Sequence, residues 1–212
     1  MLPYLIGVTG RIATGKSSLS KYASQLIKCP YINCDASVHE LYSHSPIIRM
    51  QLKTQFGEGV IENKNGKEMV NRKILRDIAF SSQLNLNQLN TIILPHLSEF
   101  LKQKIKQLQQ PKFIIIEGAT IIEVGWASKF DCIWATYSSN DVISRRLKYE
   151  RKIDDATIKK IIQYQYNDHE HIPYISLKYD SGNPFNQNKI IIDKEIQKLI
   201  HQNVSAKALS RW

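Results

Sequence analysis

Short apolar runs alternate with longer amphipathic stretches along this chain. Residues 4–8, 31–33, 113–116, 132–137 and 189–192 have the β-branched and aromatic content of strands. Two of these runs, 113–116 and 190–192, lack polar alternation, so we expect them at the centre of a sheet covered by helices on both faces. The order of strands and helices predicts an α/β fold with about five mostly parallel strands.

Two long segments interrupt this simple alternation. About eighty residues without a strong strand pattern follow the second predicted strand, and they contain helical patterns at 46–56, 71–80 and 86–108 and an Asn63-Lys-Asn-Gly66 turn signal. We expect an inserted helical subdomain at about residues 58–110. A helix, a break and a second helix are predicted at about residues 141–168, where Asp154 and Asp155 read as the cap of the second helix.

Composition limits the classes of protein that fit this pattern. The 212 residues fit one sizeable domain or a core domain with an insertion, and the net charge of +10 favours anionic partners such as nucleic acid, acidic lipid or phosphorylated small molecules. The three cysteines form no CxxC pair, which indicates free thiols in a reducing compartment. No apolar stretch is long enough for a signal sequence or a membrane span, so we expect a cytoplasmic protein without a membrane partner.

The strongest chemical signal is the segment Gly10-Arg-Ile-Ala-Thr-Gly15-Lys16-Ser17, which matches GxxxxGK[ST] between an apolar strand and an amphipathic helix. A glycine turn before a helix can arise by chance, but here the strand, lysine, hydroxyl and helix follow in the required order. The two glycines let backbone N–H groups point at phosphates, Lys16 supplies positive charge, and the Ser17 hydroxyl ligates Mg²⁺. The segment predicts nucleoside triphosphate binding by Gly10, Arg11, Ile12, Ala13, Thr14, Gly15, Lys16, Ser17 and Ser18.

Two carboxylates end predicted strands on the edge of the sheet that also carries this loop. Glu117 ends the run 113–116 and is a candidate for helping to hold Mg²⁺, with an ordinary surface glutamate as the alternative. Asp35 follows the second strand and could accept the proton of an acceptor hydroxyl, although Asp is also a favoured helix N-cap. The residues alone leave both pairs of alternatives open.

Four segments in order, 6–17, 33–35, 71–80 and 121–123, together resemble the dephospho-CoA kinases. The resemblance extends from about Ile6 to Gly182. It implies a P-loop three-layer sandwich with an inserted CoA-binding helical subdomain and a small helical lid. It also implies ATP-dependent, Mg²⁺-dependent phosphorylation of the ribose 3′-hydroxyl of dephospho-CoA.

The resemblance further implies roles for individual residues. Asp35 aligns with the family's catalytic aspartate, and Lys16 and Ser17 align with its phosphate and magnesium ligands. The implied acceptor-binding residues are Asp35, His39, Arg72 and Glu123, and the implied base-binding residues are Asp180 and Gly182. Arg146 matches one lid arginine of the family, and Arg151, one residue beyond the position of the other, is the second candidate. For the lid arginines, a solvated basic helix face is the competing interpretation.

Several positions depart from the family pattern, and they concern substrate contacts. Asn33 replaces an acid, His39 replaces an arginine, Leu94 replaces a histidine, and Glu150 stands where an arginine is usual. These departures keep a P-loop kinase of another small acceptor open as an alternative.

The positive charge keeps a nucleotide-dependent switch or a nucleic-acid-binding NTPase open as a more distant alternative. The Asn63–Gly66 segment, however, lacks the carboxylate of a guanine-specificity element, and the tyrosines form no stripe with basic residues. We therefore expect ATP and dephospho-CoA as partners and no nucleic acid. The oligomeric state does not follow from the sequence.

Overall fold

A computed structural model describes residues 3–109, 111–164 and 175–201. Its strands in chain order are β1 (Tyr4–Gly10), β2 (Tyr31–Asn33), β3 (Ile61–Lys64), β4 (Lys67–Val70), β5 (Phe113–Glu117), β6 (Cys132–Tyr137) and β7 (Ile175–Asp180). Five of them form a parallel sheet in the order β2-β5-β1-β6-β7. The predicted α/β class with a mostly parallel sheet of five strands is confirmed.

The helices in chain order are α1 (Lys16–Ile27), α2 (Cys34–His44), α3 (Pro46–Phe56), α4 (Arg72–Ala79), α5 (Gln83–Gln107), α6 (Asn140–Arg145), α7 (Asp155–Tyr164) and α8 (Phe185–His201). A π-helical turn, Arg146–Glu150, continues α6. The chain forms two compact units, of which one comprises the residues up to Asn33 together with those from Leu108 onward, and the other comprises Cys34–Gln107.

The core of the first unit lies on the sheet face covered by α1 and α8. Every residue of β1 and β5 is buried, which is why these strands read as continuous apolar runs. Alternate residues of the sheet pack against the buried stripes of the two helices: Ile6, Val8, Ile115, Trp134 and Leu177 from the strands, and Leu19, Ala23, Ile192, Ile196 and Leu199 from the helices. On the opposite face, a Cβ at Gly7 would lie 2.9 Å from the Phe130 ring, so Phe130 packs directly on β1.

The prediction of a strand at 189–192 is wrong, because these residues lie within α8. The buried positions of α8 include Asn188, Ile192, Ile196 and Leu199, a spacing of three to four residues, whereas Ile190 and Ile191 are 57% and 45% exposed. The fifth strand is β7, in which Leu177 and Tyr179 are buried and alternate with exposed residues. A short isoleucine run therefore looked like a central strand although it crosses both faces of a helix.

The second unit combines four helices with a β-hairpin. Its longest helix, α5, packs against α2, α3 and α4, and the predicted helical segments 46–56, 71–80 and 86–108 correspond to α3, α4 and α5. The expectation of an insertion without strands is wrong, because β3 and β4 pair antiparallel around the predicted turn. Asn65 and Gly66 both have positive φ, 54° and 77°, as a two-residue hairpin turn of type I′ requires.

Within the three described ranges, no helix combines the length and the apolar character needed to cross a membrane.

Candidate active site

The nucleotide-binding loop runs from the end of β1 to the start of α1. Gly10 has a φ of +136°, and a Cβ there would lie 2.3 Å from the carbonyl oxygen of Thr136, so only glycine fits. Gly15 precedes α1 in the left-handed conformation, with a φ of +87°, and directs the first turn of the helix toward the loop. The two glycines that the motif predicted are therefore required by the backbone.

Side chains of the loop hold it in shape from within. The Thr14 hydroxyl donates to the carbonyl of Arg11 at 2.6 Å and lies 2.6 Å from the hydroxyl oxygen of Thr136. The buried Lys16 ammonium donates to the carbonyls of Gly10 and Arg11, both at 2.8 Å. The loop thus places a fixed positive charge beside the N-terminus of α1, where backbone N–H groups already favour anions.

Glu117 lies beside this helix and faces the same side of the sheet as the core. It is 4% exposed, so it is not a surface glutamate. The Ser17 hydroxyl donates to its Oε1 at 2.8 Å, and the Tyr31 hydroxyl donates to its Oε2. Burial, followed by the neighbouring carboxylate, raises the pKa of Tyr31 to about 12, so this hydroxyl keeps its proton. Hydroxyl and carboxylate oxygens are the ligand types that Mg²⁺ prefers, and the donor set fits that ion.

Arg146 extends from the π-helical turn to the nucleotide-binding loop. Its Nη1 donates to the carbonyl of Ala13 at 2.8 Å and to the Ser181 hydroxyl at 2.7 Å, and its Nη2 donates to the carbonyl of Ser181 at 2.8 Å. The neighbouring Arg145 and the later Arg151 are exposed. Of the two predicted lid arginines, the structure places Arg146 against the loop and Arg151 at the surface.

An apolar cluster joins the lid segment to the same loop. Its buried members are Ile143, Leu147, Ile158 and Ile161, and Ile12 and Ala13 of the loop pack against it. Asp154 caps α7 as predicted, since its carboxylate accepts from both the backbone N–H and the hydroxyl of Thr157. These bonds hold the pKa of Asp154 below its usual value. Residues 165–168 of the predicted lid lie outside the described residues.

The predicted base-binding residues follow β7. Asp180 ends the strand, and its Oδ1 accepts from the backbone N–H of Gly182 at 2.8 Å. The buried Asn188 of α8 donates to the carbonyl of Asp180 at 2.7 Å. Ser181 bonds to Arg146 and donates its backbone N–H to the carbonyl of Tyr137. The turn therefore has a defined shape and is tied to the lid arginine.

Within the second unit, three predicted residues lie together near the start of α2. Asp35 is in the first turn of α2, one residue past the start of the helix, so it is not the N-cap. His39 lies one turn later, with its ring centroid 6.5 Å from that of Tyr42, and burial and the charge of Arg72 lower its pKa although Asp35 opposes the shift. His39 is thus neutral at pH 7, and the positive charge of this cluster comes from Arg72.

The remaining predicted residue, Glu123, lies in the consecutive turns that follow β5 and is exposed.

Four residues contribute to these sites although sequence reasoning did not single them out: Tyr31, Thr136, Asn188 and Tyr42. Thr136 contacts Thr14, which lies 122 residues away, so the sequence carries no local signal for it. Asn188 lies only eight residues from Asp180 and joins the strand β7 to the helix α8 that follows it. Tyr31 lies two residues before Asn33, which pairs with Glu117 in the neighbouring strand, so the strand register of the structure brings Tyr31 to this carboxylate.

Comparison with known proteins adds independent information. Residues 4–176 match the family model described as dephospho-CoA kinase. A dephospho-CoA kinase of Fusobacterium nucleatum is 31% identical over 168 residues, covering 79% of this chain and 84% of that protein, and one of Borreliella burgdorferi is 29% identical over 197 residues, covering 92% of each. A structure of dephospho-CoA kinase from Campylobacter jejuni superimposes with a TM-score of 0.65 at 18% identity, covering 94% of this chain and 98% of that one. This chain belongs to the dephospho-CoA kinase family.

Proposed function

We propose that this protein transfers the γ-phosphoryl group of ATP to the ribose 3′-hydroxyl of dephospho-CoA, giving coenzyme A, ADP and a proton. Membership of the family supports the choice of reaction. The observation that carries the proposal is the geometry of the nucleotide-binding loop. Its Lys16 ammonium donates to the Gly10 carbonyl, and its Ser17 hydroxyl lies 2.8 Å from Oε1 of the buried Glu117.

The loop residues Gly10 to Ser18 bind the phosphates of ATP. Lys16 lies within the loop, 2.8 Å from the carbonyls of Gly10 and Arg11, and its ammonium would donate charge-assisted hydrogen bonds to anionic phosphate oxygens. The N-terminus of α1 adds backbone N–H donors. We infer that Asp180 and Gly182, in the turn after β7, contact the adenine base.

Ser17 and Glu117 would hold Mg²⁺ together with the nucleotide. The ion supplies positive charge that neutralises the phosphate oxygens during transfer. In the structure the two side chains are hydrogen-bonded to each other, so the carboxylate holds the hydroxyl in one orientation.

The acceptor is activated by Asp35, in our proposal. Its exposed carboxylate accepts the proton of the ribose 3′-hydroxyl as the oxygen attacks the γ-phosphorus, and the bond from that phosphorus to the β–γ bridging oxygen breaks. Arg72 and the neutral His39 lie in the same cluster as Asp35, and we assign them to binding the acceptor. Glu123 is assigned the same role on the family resemblance alone.

The lid is assigned to residues 141–168, and the insertion at 58–110 to CoA binding. Arg146 and Arg151 stabilise the charge on the transferring phosphoryl group, and closure over ATP excludes water. Arg146 is already held at the loop through the carbonyl of Ala13, which places its guanidinium beside the phosphate-binding backbone.

The test is product analysis by mass spectrometry. Purified protein is incubated with ATP and Mg²⁺ together with dephospho-CoA, a nucleoside, a nucleoside monophosphate or another small alcohol as separate acceptors. We expect the mass of dephospho-CoA to increase by that of one phosphoryl group and the masses of the other acceptors to stay unchanged. Product from another acceptor, with none from dephospho-CoA above the control without acceptor, would overturn the proposed substrate and would point to the departures at Asn33, His39 and Leu94 as its cause.

A further inference from the structure

A chain of three hydrogen bonds runs along one face of the sheet beside the nucleotide-binding loop. Asn33 Nδ2 donates to the Tyr31 hydroxyl oxygen at 3.1 Å, the Tyr31 hydroxyl donates to Glu117 Oε2, and the Ser17 hydroxyl donates to Glu117 Oε1 at 2.8 Å. Both oxygens of the Glu117 carboxylate are therefore held, one by each neighbouring element.

Register explains why these side chains meet. Tyr31 pairs with Ile115 and Asn33 pairs with Glu117 in adjacent parallel strands, and residues two apart on a strand point to the same face. That face carries α1, whose first turn includes Ser17, and the Tyr31 ring packs against the same apolar core as Ile115. Packing thus fixes the ring, and the ring fixes the position of its hydroxyl.

The direction of the chain follows from counting hydrogens. The carboxylate of Glu117 can only accept, so the single Tyr31 hydrogen goes to it. The Tyr31 oxygen must then accept from Asn33, which an amide NH₂ can supply. Asn33→Asp would offer Tyr31 a second acceptor and would draw its hydrogen away from Glu117. Asn33 stands where the family commonly has an acid, and its side-chain amide supplies the hydrogen-bond donor that the Tyr31 oxygen needs.

We propose that Tyr31, oriented by Asn33, is a positioning residue that holds the Glu117 carboxylate so that Ser17 and Glu117 bind nucleotide-associated Mg²⁺. The inference rests on the proposed function only as far as ATP and Mg²⁺ are concerned. A buried carboxylate without Tyr31 would turn toward another donor, and the Ser17 hydroxyl would lose its fixed partner.

The test compares ATP affinity in excess Mg²⁺ with ATP affinity in EDTA, by calorimetric titration of the intact protein. Tyr31→Phe keeps the ring and its packing but removes the hydroxyl. We expect its ATP affinity in Mg²⁺ to fall about 10-fold or more, as losses of outer-shell partners of metals do, with affinity in EDTA within about twofold of the wild type. A purely structural role for the hydroxyl would lower both affinities alike.

Tyr22→Phe is the matched control, because the Tyr22 hydroxyl of α1 also donates to a carboxylate, Asp193 Oδ1 of α8, at 2.7 Å. Asn33→Ala tests the order of the chain. It should lower the affinity in Mg²⁺ in the same direction, and combining it with Tyr31→Phe should add little further loss.

The outcomes separate the two proposals. If Mg²⁺ strengthens ATP binding by the wild type and by Tyr31→Phe to the same extent, the role of Tyr31 is overturned while the kinase assignment stands. If Mg²⁺ has no effect on the wild type, both the metal site and the positioning role are overturned. Failure of dephospho-CoA to act as acceptor changes neither affinity and concerns the proposed function alone.

Discussion

The contacts of Arg146 allow a test of whether this arginine belongs to a lid or to a solvated basic helix face. Arg146→Ala removes three hydrogen bonds that join the π-helical turn to Ala13 and Ser181. A hydrogen bond at a partly exposed site contributes about 1 kcal/mol, so the free energy of unfolding should fall by about 3 kcal/mol. For a chain of this size, that corresponds to a decrease in Tm of about 6–12 °C.

Arg145→Ala is the matched control, since it removes the same charge from the adjacent, exposed position. We expect it to change the free energy of unfolding by less than about 0.5 kcal/mol. Both variants are compared by urea unfolding and by kcat with ATP and dephospho-CoA. Only Arg146→Ala should lose kcat, by about 100-fold or more, as expected for a group that stabilises transition-state charge. Equal effects of the two variants on stability and kcat would show that Arg146 is part of a solvated helix face.

Three further predictions concern Asp35 as the proposed general base, the nucleotide-binding loop and the buried thiol of Cys29. Asp35→Asn should lower kcat by about 10²–10⁴-fold without changing ATP affinity, and an unchanged kcat would remove Asp35 from the chemistry. Gly10→Ala should abolish measurable ATP binding, because its Cβ would lie 2.3 Å from the Thr136 carbonyl oxygen. Gly59→Ala is the control, since Gly59 has open space around it, and this variant should bind ATP normally. Normal ATP binding by Gly10→Ala would contradict the loop geometry. Burial raises the pKa of the Cys29 thiol to about 11. The protonated thiol therefore contributes fully to the free energy of unfolding below about pH 9, and this contribution, about 2–3 kcal/mol, is lost as the pH rises toward 11. Urea unfolding of Cys29→Ala should therefore show a shallower alkaline decline than the wild type, and parallel declines would contradict the assignment.

Much of the fold follows from local patterns. Continuous apolar runs predicted β1 and β5 correctly because strands buried on both faces need apolar residues at every position. The helix Pro46–Phe56 coincides with the helical pattern predicted near these residues, and the structure shows that Ser45 caps it and Gly57 follows it. The failures have one origin: the run 189–192 and the hairpin around Gly66 are too short for periodicity to separate a helix from a strand.

The nucleotide-binding loop follows from the amino-acid sequence alone, because GxxxxGK[ST] is a local motif in which each residue type has its own role at the phosphates. The sequence also indicated Glu117, Asp35 and Arg146, but with surface or capping roles as alternatives. The structure shows that Glu117 is buried, that Arg146 contacts the loop and that Asp35 lies within the first turn of α2, so none of these alternatives could be decided before the chain was folded. Tyr31 became visible only through strand register, because a hydrogen bond between residues 86 positions apart depends on how the strands pair and leaves no local trace in the sequence.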